Sequence, residues 1–172
     1  MARSPEPAVP DALPATLGEL RESGWRSRSV KEELRSNLLA RIAAGEQTFP
    51  GIVGYEETVI PAVENAILAG QDIVFLGERG QAKTRLARQL VTLLDPFLPV
   101  VRGGELNDDP FAPISAAGRA VVAEGGDVTP LDWVPRDRRH VEKLATPDIT
   151  IADLIGEVTP SAWPRVATCP TS

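Results

Sequence analysis

Three segments with different patterns follow one another in the middle of the chain, and their order constrains the fold more than any other feature. Residues 73–76 are apolar, and residues 77–84 read Gly-Glu-Arg-Gly-Gln-Ala-Lys-Thr. The next segment carries leucines at helical spacing, namely Leu86, Leu90, Leu93 and Leu94. A strand, a glycine-rich loop that ends in Lys-Thr, and a helix are the parts of a phosphate-binding loop. The order therefore predicts an α/β fold with this loop at the end of a strand.

Each residue type in the loop has a physical role. The glycines allow successive N–H groups to converge on one anion, and the helix N-terminus adds unpaired donors and a partial positive charge. Lys83 is expected to contact the β- and γ-phosphates, and the Thr84 hydroxyl to ligate Mg²⁺. The predicted cofactors are ATP and Mg²⁺. The predicted cofactor-binding residues of the loop are Gly77, Glu78, Arg79, Gly80, Gln81, Ala82, Lys83 and Thr84.

Ala82 stands where the Walker A pattern usually has glycine. A methyl group is small enough for a helix start with ordinary φ and ψ, whereas a bulkier side chain would crowd the phosphates. The alternative interpretation of residues 77–84 is a strand-to-helix turn without a ligand. The Lys-Thr pair and the segments on either side favour the phosphate-binding interpretation.

Composition excludes several classes of protein. Hydrophobic residues make up 42% of the 172 residues and the net charge is −6, which is typical of a globular protein and unlike a non-specific nucleic-acid binder. The basic cluster at residues 136–139 fits a solvated loop or a contact with a phosphate or an acidic partner. Cys169 and His140 are single residues of their type, so no disulfide or zinc ligand set is predicted.

Neither a membrane span nor a signal sequence is predicted. No apolar stretch approaches the ~20 residues of a membrane span. The first residues lack the apolar core of a secretory signal. We therefore expect a cytoplasmic protein that neither inserts into a membrane nor binds nucleic acid.

Helical patterns precede the loop. Residues 1–15 contain four prolines and are predicted to form a disordered tail. Helices are predicted at residues 16–23, 29–44 and 56–69. Ser29 and Glu32 form a capping box for the second of these, and Gly45 ends it. Its predicted apolar face consists of Val30, Leu34, Leu38 and Ile42, and that of the third helix of Val59, Val63, Ile67 and Leu68.

Patterns after the loop are weaker. Residues 97–101 are predicted to form a second strand or the approach to one, and Pro99, which lacks an N–H group, restricts it to an edge or to the start of a strand. A short helix at residues 112–124, interrupted at Gly118, and a loop at residues 125–135 follow. Residues 148–157 fit either a strand or a helical turn, and residues 161–172 have no periodicity.

Three blocks of sequence resemble the front half of an AAA+ ATPase domain, in the branch of magnesium chelatase subunit I and the MoxR-like ATPases. The blocks are Gly-Ile-Val-Gly-Tyr-Glu at residues 51–56, the loop at residues 77–84, and Leu-Ala-Thr-Pro-Asp-Ile-Thr-Ile-Ala-Asp-Leu-Ile-Gly at residues 144–156. Related ATPases also have alanine before the lysine. The resemblance implies a three-layer αβα P-loop NTPase domain with a parallel sheet at residues 49–160. The helical segment 16–48 would precede this domain, and residues 161–172 would lie outside the family's pattern.

The same resemblance implies that Ile52 and Val53 border the adenine ring, with Gly54 and Tyr55 at the pocket edge. An apolar pair followed by glycine gives a flat apolar wall and a close backbone approach. The alternative is that Ile52 and Val53 are core residues, and the residues alone leave both interpretations open.

Hydrolysis needs a second apolar strand that ends in Asp-Glu, which holds Mg²⁺ and polarises the attacking water. The nearest candidate after residue 84 is residues 149–153, but Thr150 interrupts it and Leu154 stands where an acid is needed. No residue is therefore predicted to be catalytic, and the sensors and arginine finger of the family have no counterpart. We expect a chain truncated before the Walker B strand, with a genuinely short protein as the alternative.

Truncation would leave an incomplete parallel sheet. The family's strand order places the strand at residues 73–76 between two strands that are absent here. Its N–H and C=O groups would then lack partners, and we expect a marginally stable chain that aggregates or borrows a partner.

The leading functional hypothesis is ATP binding, as the front half of an ATPase whose complete forms build rings and couple hydrolysis to remodelling of a partner or to metal insertion. Its partners would be ring subunits, either copies of this chain or a full-length paralogue, and an unknown remodelled protein. The alternative is a non-catalytic interaction protein or gene fragment that associates with a full-length AAA+ paralogue. A small kinase is a third possibility, but it would need an acidic residue and a lid that the sequence lacks.

Overall fold

The computed structural model describes residues 12–104, 106–143 and 150–152. By contacts the chain divides into a first unit, residues 1–140, and a second, residues 141–172. Residues 151 and 152 of the second unit are helical. Residues 144–149 and 153–172 lie outside the described part, and they include both ends of the Walker B candidate at residues 149–153 and the whole predicted C-terminal tail.

Helices dominate the first unit. They are α1 (Leu17–Glu22), α2 (Val30–Ala43), α3 (Val59–Leu68), α4 (Lys83–Leu90) and α5 (Ala116–Gly125). Short 3₁₀ turns follow at Val91–Leu93, Gly126–Val128 and Arg136–Arg139. The strands are β1 (Phe97–Val101) and β2 (Leu131–Pro135). The unit is therefore mixed α and β, as the sequence predicts at the coarsest level.

The sheet differs from the prediction. β1 pairs with β2 in antiparallel register from Phe97 opposite Pro135 to Val101 opposite Leu131, and it is the only sheet in the described part. The predicted parallel sheet is thus wrong for the described residues, and so is the loop predicted at residues 125–135. Leu131 is buried with Leu17 and Leu20 of α1, and β2 pairs with β1, some thirty residues away. Such long-range partners decide strand formation more than local pattern does.

Local capping signals are confirmed. The Ser29 side chain accepts a hydrogen bond from the Glu32 N–H, and the Glu32 carboxylate accepts one from the Ser29 N–H. Gly45 follows α2 with φ of +69°. Gly118 lies inside α5 and does not interrupt it. These features depend on neighbouring residues only, which is why the sequence predicts most of them.

The predicted apolar face of α2 is only partly correct. Leu38 is buried, but Val30 and Ile42 at the two ends of the face are exposed. Glu33 is buried instead, because Arg139 forms an ion pair with it at 2.5 Å. The basic cluster at residues 136–139 therefore contributes to the interior through Arg139 and is not simply a solvated loop.

Two apolar clusters make up the core of the described part of the first unit. The larger one joins α2, α3, α4 and the segment around Phe49, and its buried members are Leu38, Phe49, Ile52, Ile60, Val63, Ile67, Leu86 and Leu93. The smaller one joins α1 and β2 through Leu17, Leu20 and Leu131. Trp25 and Trp133 pack edge to face beside it, with ring centroids 6.1 Å apart.

The end of the predicted N-terminal tail belongs to the fold. The Leu131 N–H donates to the Ala15 carbonyl at 2.9 Å, and the Trp133 indole N–H donates to the Pro14 carbonyl at 2.8 Å. Residues 14 and 15 are thus held by β2. Residues 12 and 13 of the predicted tail form a turn and a bend, and residues 1–11 lie outside the described residues.

Residues 73–76, predicted as a strand, form no strand in the described structure. Ile73 and Phe75 pack against the larger cluster, whereas the Val74 and Leu76 side chains are 79% and 89% exposed. No backbone N–H or C=O group of these four residues forms a hydrogen bond within the described ranges. We call residues 73–76 the unpaired edge.

We expect the unpaired edge to drive self-association, because it exposes apolar side chains next to unsatisfied backbone groups. Replacing Val74 and Leu76 together with lysine should weaken self-association at least about tenfold, as measured by sedimentation velocity over a concentration series. The matched control replaces Ile114 and Val128, which are equally exposed, with lysine. A monomer that melts in one sharp, reversible transition would contradict the expectation.

Candidate functional site

The loop at residues 77–84 connects the unpaired edge to α4. Gly77 has φ of +151° and Gly80 has φ of +85°, values that L side chains rarely adopt. A Cβ atom at Gly77 would also clash with the Gln81 side-chain oxygen. That oxygen accepts a hydrogen bond from the Glu78 N–H at 3.0 Å. The loop therefore closes on itself in a conformation that requires glycine at residue 77.

Lys83 is the first residue of α4, and its side chain bends back over the loop. Its ammonium group donates to the Gly77 carbonyl at 2.8 Å and also to the Glu78 carbonyl. The lysine is half-buried by these contacts. The cation is therefore held at the mouth of the loop, on groups that it can exchange for a phosphate.

The backbone N–H groups that follow Glu78 are free to donate hydrogen bonds to an anion. Within the described residues, no hydrogen bond occupies the backbone N–H of any residue from 79 to 85. The first intrahelical bond runs from the Leu86 N–H to the Ala82 carbonyl at 2.9 Å. Consecutive unpaired N–H groups at the start of a helix form an anion-binding concavity.

The cleft beside these donors has a volume of about 640 Å³ and is strongly basic. Its lining residues come only from the loop and α4, and they are Arg79, Gly80, Gln81, Ala82, Lys83, Thr84, Arg85 and Arg88. Four of them are cationic and none is acidic. Arg85 and Arg88 lie beyond the site residues predicted from the sequence, although their spacing of three residues places both on one face of α4. We call this space the basic cleft.

Ala82 departs from the conformation expected from the sequence. It precedes α4 with φ of +53° and ψ of +11°, which is left-handed, whereas the sequence predicts a helix start with ordinary φ and ψ. A left-handed conformation costs a non-glycine residue about 1–2 kcal/mol. Residue 82 thus adopts a left-handed backbone conformation. Glycine, which is usual here in the Walker A pattern, adopts it without strain, and alanine adopts it at this modest cost.

Substitutions at Ala82 test whether this residue is held in the left-handed conformation. We expect Ala82→Val to lower the free energy of unfolding by about 1–2 kcal/mol, because a β-branched residue is poorly tolerated at positive φ. Ala82→Gly should change it by less than about 1 kcal/mol, because relieved strain is offset by a more flexible unfolded chain. Urea denaturation measures both. A valine variant as stable as the parent chain would show that residue 82 is not held left-handed.

The residues predicted to border adenine are not brought together at the basic cleft. Ile52 is 2% exposed and lies in the larger core cluster, whereas the Val53 side chain is 82% exposed. Gly54 is exposed, with φ of +84°. Tyr55 lines a separate apolar cleft of about 410 Å³, which adjoins the basic cleft at Gln81 and Lys83. The adenine assignment of these four residues stays a prediction.

The segment before Ile52 nevertheless lies along α4. The Gln89 side-chain amide donates to the Pro50 carbonyl at 2.8 Å. Gly51, with φ of +76°, lies so close to Arg85 that a Cβ atom there would be 2.7 Å from a guanidinium nitrogen. Residues 49–52 therefore fix one side of α4 and place Arg85 at the rim of the basic cleft.

The chemistry of the cleft fits a phosphate chain better than a free metal ion. Thr84 supplies the one hydroxyl of the lining, and no carboxylate of the described residues lines the cleft. Mg²⁺ in nucleotide sites commonly keeps several waters and takes further oxygens from the phosphates. Thr84 is therefore the lining residue that would ligate Mg²⁺ if a phosphate chain brought the ion.

Comparisons with known proteins found no match: no protein-family model, no curated protein and no solved structure corresponds to this chain. In the part of the chain that the structure describes, no helix has the length and apolar character to cross a membrane.

Proposed function

We propose that residues 77–84 bind the phosphate chain of magnesium-bound ATP. The observation that carries the proposal is the run of unpaired backbone N–H groups at residues 79–85, because all of these residues, Lys83 among them, line the same cleft. Such donors satisfy phosphate oxygens directly, and the lysine balances the charge. Thr84 holds the magnesium ion that accompanies the phosphates.

We also propose that the chain is the phosphate-binding part of an AAA+ ATPase of the magnesium chelatase and MoxR-like branch. In this proposal its partners are ring subunits, and complete relatives couple hydrolysis to partner remodelling or metal insertion. The support is the order of the three sequence blocks and the conformation of the loop. No residue is proposed to activate water, so this chain binds ATP and orients its phosphates without hydrolysing it.

A second function, that of a non-catalytic interaction protein, is favoured by a different observation. The unpaired edge exposes Val74 and Leu76 together with backbone groups that have no partner in the described ranges. A strand from a full-length AAA+ paralogue would satisfy these groups. The two functions are compatible, because the edge leads directly into the loop.

Isothermal titration of Mg-ATP into the full chain tests the proposal. We expect Lys83→Ala to weaken binding at least about tenfold, since it removes the cation that balances the phosphates. Lys31→Ala is the matched control, because Lys31 pairs with Asp72 at the surface and lies outside the cleft lining. Absence of binding by the parent chain, or equal weakening by both variants, would contradict the proposal.

A further inference from the structure

The lining of the basic cleft carries chemistry for a polyanion and none for a nucleobase. Each lining residue is cationic, small or polar, and the lining includes no aromatic or large aliphatic side chain. A base is bound by apolar contact on its faces and by a few directed hydrogen bonds. Phosphate groups, in contrast, are bound by arginine, lysine and backbone N–H groups, which are what this cleft provides.

Arg79 and Arg85 stand out among the cations because neither has a partner within the described residues. Neither forms an ion pair or a hydrogen bond there, and both are exposed. Lys83, in contrast, is held by loop carbonyls. Like charges gathered on one cleft repel one another until an anion of several charges neutralises them. Two arginines without partners beside a lysine therefore favour a multiply charged ligand.

The charge of the whole chain does not explain attraction to an anion. The net charge is −6, so the molecule as a whole repels polyanions at long range, and attraction at this cleft comes from its local cations. Binding of a polyanion by this protein must therefore depend on the local cluster, and it should be sensitive to single substitutions within that cluster.

Resting on the proposed function, we infer that the basic cleft recognises a chain of three phosphates by its charge, with Arg79 and Arg85 as the residues that select chain length, and that the attached nucleoside adds little. The ligand class is a triphosphate group, whether carried by a nucleoside or free. A shorter chain leaves at least one arginine without a phosphate partner and binds more weakly for that reason.

Titration of the full chain with four magnesium-saturated ligands tests the inference: ATP, GTP, inorganic tripolyphosphate and pyrophosphate. We expect the first three to bind within about threefold of one another and pyrophosphate to bind at least about tenfold more weakly, which is the loss of one charge-assisted contact. The variant with Arg79→Gln and Arg85→Gln should bind tripolyphosphate at least about tenfold more weakly and should lose most of the parent chain's preference for tripolyphosphate over pyrophosphate.

The control is Arg35→Gln, because Arg35 is an exposed arginine of α2 outside the cleft. Circular dichroism of each variant verifies that it is folded. If Arg35→Gln weakens binding as much as the double variant does, the affinity depends on the net charge of the chain and not on the cleft, and the inference is overturned.

The outcomes distinguish the inference from the proposed function. One result is that ATP binds in a Lys83-dependent manner while tripolyphosphate binds far more weakly. That result would mean that the protein also binds the base, in the apolar cleft at Tyr55, and only the inference would fail. If tripolyphosphate and ATP bind alike but Lys83→Ala has no effect, the loop is not the site and both fail. Absence of binding by all four ligands also overturns both.

Discussion

Replacing Arg139 with alanine is expected to lower the free energy of unfolding by about 3–5 kcal/mol, because the substitution leaves a buried carboxylate without its cation. The Glu33 side chain is 3% exposed and that of Arg139 is 11% exposed. The guanidinium donates to both carboxylate oxygens, at 2.8 and 2.5 Å. The Asp95 N–H donates to the same carboxylate at 2.6 Å. Urea denaturation of the parent chain and the variant measures the difference.

Arg21→Ala is the matched control for this prediction. Arg21 pairs with Asp127 at the surface, where the two side chains are 54% and 68% exposed, and loss of such a pair costs about 0–1 kcal/mol. Replacing Glu33 and Arg139 together with leucine and methionine should recover part of the loss, since no charge is then buried alone. The Asp95 N–H still lacks an acceptor in that double variant. A loss below about 1 kcal/mol for Arg139→Ala would contradict the buried pair.

The pH dependence of stability gives a second signature of the same pair. Burial raises the pKa of Glu33, but the hydrogen bonds from Arg139 and Asp95 and the charges of Arg139 and Arg28 outweigh it and hold the pKa below its ordinary value of 4.5. A lowered pKa in the folded state stabilises the fold above the unfolded pKa, and this contribution is lost as the pH falls through the folded value. We therefore expect the difference between the parent chain and Arg139→Ala to shrink below about pH 4.5.

Phe49→Ala is expected to lower the free energy of unfolding by about 3–5 kcal/mol, the usual cost of removing a buried phenylalanine side chain. Phe49 is fully buried in the larger cluster, where it lies with Leu38 of α2, Ile60 of α3 and Leu86 of α4. Its ring therefore joins the helices that position the loop. Chemical denaturation measures the loss, and Phe111→Ala is the control because Phe111 is 36% exposed.

The same substitution should also weaken the proposed binding of Mg-ATP. Residues Pro50 and Gly51 contact Gln89 and Arg85 of α4, so loosening Phe49 releases one side of the helix that begins at Lys83. Retention of full stability by Phe49→Ala would show that the ring does not join the helices. Phe49→Leu, which keeps most of the apolar volume, should restore most of both properties.

The sequence by itself determines the features that depend on neighbours along the chain. The capping box of Ser29 and Glu32 closes within four residues, and the ends of α2 and α3 at Gly45 and Gly70 require only a positive φ at one residue. Likewise, the loop at residues 77–84 owes its shape to its own glycines and to the contacts of Lys83 and Gln81 within it. Its composition is enough to predict a candidate phosphate site.

Only the tertiary structure decides the features whose partners lie far apart in the sequence. β2 exists because it pairs with β1, and Glu33 is buried because Arg139, more than a hundred residues later, reaches it. Residues 73–76 have the composition of a buried strand, yet no neighbouring strand pairs with them in the described ranges, so Val74 and Leu76 face solvent. Strand pairing and burial each require two surfaces that meet, and the sequence of one segment specifies only one of those surfaces. The chemistry of the loop is therefore local, whereas the sheet and the interior around it are decided by long-range contacts.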